Sequence, residues 1–60
     1  METIENGMIT SIGERFVGIS YSNGGYSLIE KEKLPSDIKV GDIVTVTLEI
    51  VVKDVKLVER

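Results

Sequence analysis

Tyr21 and Tyr26 bracket the turn Ser22-Asn23-Gly24-Gly25, with Ser20 and Ser27 beside them. Phe16 is the only other aromatic side chain in the 60 residues. Tyrosine rings stack on bases. Backbone N–H groups in glycine-rich turns form nests for anions. The serines and Asn23 add hydroxyl and amide partners. With Arg15 or Lys31 as countercharge, residues Arg15, Ser20, Tyr21, Ser22, Asn23, Gly24, Gly25, Tyr26 and Ser27 form a candidate site for a small anionic, nucleotide-type ligand. Asn-Gly also makes hairpins wherever it lies between strands. On that ground Tyr21 and Tyr26 are an ordinary cross-strand pair.

Catalytic chemistry finds little to use. The chain has no histidine and no cysteine, so the commonest general base and the strongest nucleophile are missing. Ser11, Ser20, Ser22, Ser27 and Ser36 fall in turns or on strand faces, where serines are solvated. Paired carboxylates could serve a glycosidase, and Glu30 and Glu32, two apart, would share a face on a strand. They alternate with Lys31 and Lys33, the pattern of a solvated strand end. A non-enzymatic protein with no cofactor and no metal site is expected.

Ten acidic against seven basic residues give a net charge of −3. Nucleic-acid affinity comes largely from Lys and Arg neutralising phosphates, so an acidic chain without a basic stripe is a poor nucleic-acid binder. The longest apolar run, Ile50-Val51-Val52, is far too short for a membrane span. The missing cysteines fit a reducing cytoplasm.

The elements that must hold these residues are short strands. Glycines at 7, 13, 18, 24, 25 and 41 punctuate the sequence. A first strand is expected over Met8 to Ile12, with Asn6-Gly7 as a turn before it. A two-residue type I′ turn at Asn23-Gly24 joins strands Arg15–Ser22 and Gly25–Lys31. That register sets Tyr21 opposite Tyr26, Ile19 opposite Leu28 and Val17 opposite Glu30. Val17, Ile19, Tyr21, Tyr26 and Leu28 then face the core, and Phe16 and Ile29 face out. After a connector over 33–42, in which Ile38 and Val40 plug the sheet, Ile43 to Val52 alternates as a strand. A turn at Lys53-Asp54 or a bulge leads into Val55–Glu59.

The fold class predicted is all-β: a single domain over 1–60, a small five-stranded barrel made of a three-stranded meander and a C-terminal hairpin, with little or no helix. At this size one core is marginal, and small scaffolds without disulfide or metal gain stability by association. A homo-oligomer follows, most simply a two-fold dimer. Phe16, Ile29 and Val51, apolar residues on faces otherwise polar, are the candidate interface.

Leu34-Pro35, followed by Lys39-Val40-Gly41-Asp42 leading into Ile43-Val44-Thr45-Val46, resembles the lead-in to a barrel strand of several small-barrel families. Among them are the initiation-factor-type RNA-binding barrels. The strand spacing resembles the oligonucleotide/oligosaccharide-binding fold and the Src-homology-3-like barrels. The first of these implies a single-stranded nucleic-acid binder, whose contacts would be Phe16, Lys31 and Arg15. In size and plan the chain is similar to small phage-encoded proteins that sequester signalling nucleotides, which implies an inhibitor. A protein–protein adaptor or inhibitor is the other reading, working through Phe16, Ile29 and an exposed edge.

Overall fold

The computed structural model describes residues 1–58. Five antiparallel strands form one curled sheet: β1 (Thr3–Ile12), β2 (Phe16–Tyr21), β3 (Tyr26–Glu30), β4 (Ile43–Leu48) and β5 (Val52–Leu57). Their order in the sheet is β3-β2-β1-β4-β5. The class is all-β, as the strand pattern predicts, with a single 3-10 turn at Lys31–Lys33 among the described residues. Closure is where expectation and structure part. The sheet curls into a half-barrel, with β3 and β5 as its two ends.

β1 is longer than the predicted strand. Asn6-Gly7 does not turn but lies mid-strand, where β1 pairs with β2 on one side and β4 on the other. Gly7 is there for room. A Cβ at this position would stand 2.5 Å from Ile19 Cγ2 and 3.0 Å from the Ser20 carbonyl oxygen. A bulge at Thr10 then shifts the register. It returns Ile12 to the side of Ile9, so two residues three apart both turn inward.

The β2–β3 hairpin differs from the predicted register by one residue. Gly24 has φ +91°, and among the described residues no non-glycine has positive φ. A type I′ turn needs positive φ at both central residues, so Asn23 rules it out. The loop is instead the three-residue Ser22-Asn23-Gly24, with left-handed Gly24 making the bulge. The Gly24 N–H donates to the Tyr21 carbonyl at 3.1 Å, and the Tyr21 N–H to that of Gly25 at 2.8 Å. Tyr26 is therefore opposite Ser20, Leu28 opposite Gly18 and Ile29 opposite Val17. One residue of slip exchanges the faces of a strand. Ile29 goes into the core, 2% exposed, while Tyr26 and Leu28 face out, 56% and 63% exposed. The predicted outward Ile29 and inward Tyr26 and Leu28 are both corrected by this turn.

The core comprises Ile9, Val17, Ile19, Tyr21, Ile29, Val44, Val46 and Val55, capped by Leu34 and Ile38 from the connector. Val40 is exposed rather than a plug. It precedes Gly41 (φ +98°) in the tight turn Lys39–Asp42. Positive φ at the third residue alone is the type II pattern. The Asp42 N–H donates to the Lys39 carbonyl, and Asp42 Oδ2 accepts from the Lys39 N–H.

The last hairpin also turns earlier than predicted, over Glu49-Ile50-Val51 instead of Lys53-Asp54. Val46 pairs with Val55 and Val44 with Leu57. Ile50 stands at the tip, 98% exposed. Glu59, the end of the predicted strand, lies outside the described residues. Among those residues no helix is long and apolar enough to cross a membrane.

Gly7→Ala should cost about 1–3 kcal/mol through overpacking against the fully buried Ile19 side chain and the Ser20 carbonyl. Gly18→Ala should cost less, because the obstructing atoms belong to the side chains of Tyr26 and Ser11, which can swing away. Urea melts of the two variants check the order.

Candidate functional site

The tyrosine turn assembles differently from the site its residues suggest. Tyr21 points into the half-barrel, and its hydroxyl donates to Ser27 Oγ at 2.8 Å. Both groups are thereby satisfied internally, and the Tyr21 ring cannot stack on a ligand outside. Tyr26 lies on the convex face across Gly18. A Cβ at Gly18 would collide with the Tyr26 hydroxyl, so the ring covers the patch that the glycine leaves bare. Ser22, Asn23, Gly24 and Gly25 form the exposed tip. There Asn23 Oδ1 accepts from the Gly25 N–H at 2.8 Å. This bond uses one of the amide donors that an anion nest would have offered.

The countercharge is at the wrong end. Arg15 precedes β2 and the turn follows it, so the six residues of β2 separate them by roughly 20 Å. The Arg15 carbonyl accepts from the Lys31 N–H at 2.7 Å, which fixes both cations at the far end of the hairpin. The cavity there, about 330 Å³, is lined by Glu14, Arg15, Phe16, Glu30, Lys31 and Glu32. Three carboxylates against two cations make it a poor seat for a phosphate. A second cavity, about 300 Å³, adjoins the turn on the convex face, beside Asn6, Met8, Ser20, Ser22 and Ile43. Neither Lys nor Arg lines it.

Two other features come together instead. The first is a row across the convex face. Tyr26 is opposite Ser20, Ser20 opposite Met8 and Met8 opposite Ile43. Val58, whose N–H donates to the Ile43 carbonyl at 2.9 Å, continues the row. Paired residues share a face, so four apolar side chains and one serine cross the sheet in register, all but Ser20 well exposed. Met8 and Ile43 escape sequence reading because they are adjacent only through β1–β4 pairing.

The second feature is the β3 edge. Tyr21/Gly25 and Arg15/Lys31 are hydrogen-bonded pairs. The two-residue alternation of an antiparallel ladder then makes Ile19/Ser27 and Val17/Ile29 bonded as well. The N–H and C=O groups of Tyr26, Leu28 and Glu30 therefore point away from β2. Beside this edge a cleft of about 430 Å³ runs to the β4–β5 turn. Leu28 and Ile29 form one wall and Leu48, Ile50, Val51 and Val52 the other, with Glu30 and Lys33 also lining it. Of the predicted interface, Phe16 and Val51 are exposed and both line the cleft, while Ile29 offers it only an edge of a core side chain.

The two outer edges are unlike. β5 carries Lys53, Asp54 and Lys56, charges of the kind that guard an edge against pairing. Lys53 also pairs with Glu2 at 2.6 Å, tying the start of the chain to this side. β3 reads Tyr-Ser-Leu-Ile-Glu, with no charge before its last residue and no proline.

Comparison with family models, curated proteins and solved structures finds no match.

Tyr21→Phe should cost about 0.5–1.5 kcal/mol, the usual worth of a neutral hydrogen bond. Linear and cyclic nucleotides should leave the Tm of the wild type unchanged. A saturating rise in Tm with any nucleotide would restore a ligand site at the turn, since binding stabilises by mass action.

Proposed function

We propose that this chain is a non-enzymatic protein-interaction module that binds an extended segment of a partner protein by strand addition at β3. The single observation behind this reading is the unguarded β3 edge beside an apolar cleft. Main-chain bonds to the Tyr26, Leu28 and Glu30 peptide groups would supply affinity, and alternate side chains of the bound segment would enter the cleft.

The chemistry of the partner segment follows from the walls. Ile29, Leu48, Ile50, Val51 and Val52 favour apolar, β-branched residues at every second position. Glu14, Glu30 and Glu32 cluster at one end of the hairpin, and the whole chain is acidic. A segment flanked by Lys or Arg is matched to that end and steered toward it. The adaptor or inhibitor role fits this reading better than a nucleotide sequestrant, whose cation would have to stand at the tyrosine turn.

The test is selection of displayed ten-residue segments against the wild-type chain, followed by retesting of the binders on two variants. Leu28→Pro removes an outward N–H without touching the β2 ladder, a position where an edge strand tolerates proline. Val51→Asp charges the opposite wall. Binders should lose about tenfold or more on each, a loss of roughly 1.4 kcal/mol, while melting shows the fold retained. Binders indifferent to both variants, or no binders at all, would sink the proposal.

A further inference from the structure

We propose that, in the absence of a partner, a second copy of this chain occupies the β3 edge, pairing β3 with β3 across a two-fold axis at Leu28. This rests on the reading of β3 as the docking edge and names an occupant for it. Only residues whose peptide groups point outward can form the new bonded pairs, so the pairing must match Tyr26, Leu28 and Glu30 with one another. Placing Leu28 opposite its own copy is the register that overlaps all five strand residues.

Side-chain chemistry agrees with that register. Leu28 meets Leu28 of the second copy on the convex face, and Phe16, opposite Glu30 on β2, lies on the same face. Glu30 comes opposite Tyr26, Lys31 opposite Gly25 and Glu32 opposite Gly24. No like charges oppose each other, which is what an isologous strand pair requires. A stable interface takes about 800 Å² from each partner, under a fifth of the 4266 Å² this chain exposes. Phe16, Tyr26, Leu28, Ile50 and Val51, each about half exposed or more, stand along the edge and the cleft to supply its apolar centre.

Self-pairing and partner binding then use the same peptide groups and exclude each other. The dimer is the storage form of the edge, protected from indiscriminate strand pairing, and a partner segment releases a monomer.

Sedimentation across the micromolar range should show the mass doubling for the wild type. Leu28→Lys, which sets two like charges on the axis, should remain monomeric with its fold intact. The natural absence of cysteine allows a sharper test. In a bonded antiparallel pair the Cα atoms lie about 5.5 Å apart, within disulfide range. Leu28→Cys should therefore crosslink into a dimer on mild oxidation, far faster than Ser36→Cys on the exposed connector. The double variant Tyr26→Cys/Glu30→Cys should crosslink too. Monomer mass throughout, Leu28→Cys no faster than Ser36→Cys, or Ser27→Cys faster than Leu28→Cys would each overturn the pairing. A monomeric chain whose selected binders still depend on Leu28 and Val51 would overturn the dimer and leave strand addition standing. Loss of that dependence in a dimeric chain would do the reverse.

Discussion

The three-residue turn Ser22-Asn23-Gly24 sets the register of β3, and nearly everything notable about the surface depends on that register. Left-handed Gly24 allows the chain to reverse with one residue more than a type I′ turn takes. Asn23 braces the turn through its bond to the Gly25 N–H. One residue of register decides whether Ile29 or Leu28 enters the core. With Ile29 inside, Tyr26 is left on the convex face, where it covers Gly18. Leu28 is left beside the free edge. The apolar edge is thus the complement of a well-filled core: β3 has apolar side chains on both faces, and the turn selects which face is spent inside.

β1 carries the second constraint. It is bonded along both sides, so the meander and the C-terminal hairpin share one strand. Gly7 lets the Ile19 side chain close over the middle of that strand. The bulge at Thr10 then keeps Ile12 on the inner side. Further out, the β4–β5 pairing carries a second register shift, between Thr47 and Leu48. The last pairings on its two sides, β2–β3 and β4–β5, lead to strands with a single neighbour each. Curvature brings the β4–β5 turn near β3 without completing a ladder, and the apolar cleft is the remaining gap.

The strand content and the five-strand order of events were legible because alternation is strong where one face is buried. Val44, Val46, Val17 and Ile19 read as inward and are fully buried. What was illegible came from turns whose chemistry is ambiguous. Asn-Gly serves a two-residue or a three-residue loop, and only tertiary packing chooses between them. The same dipeptide at 6–7 makes no turn, since β2 and β4 both claim its backbone. At 49–51 the tip consists of Glu-Ile-Val, where Ile50 and Val51 have high strand propensity and none of the three is a turn residue, so the reversal there had no local mark. The candidate site suffered from the same ambiguity. Its residues are adjacent in sequence, but the register divides them between two faces, and β2 holds Arg15 away from the turn.

A chain of 60 residues buries only about 60% of the surface its unfolded form exposes. Among the described residues ten hydrophobic side chains form the buried core, and with no cysteine in the sequence no disulfide supplements it. Under the proposed strand addition, a strand from outside would close the gap between β3 and β5. Its binding adds stability by mass action to the folded state alone. The unguarded edge is therefore coupled to folding: whatever pairs with β3 also holds the β2–β3 hairpin in the register that creates the edge.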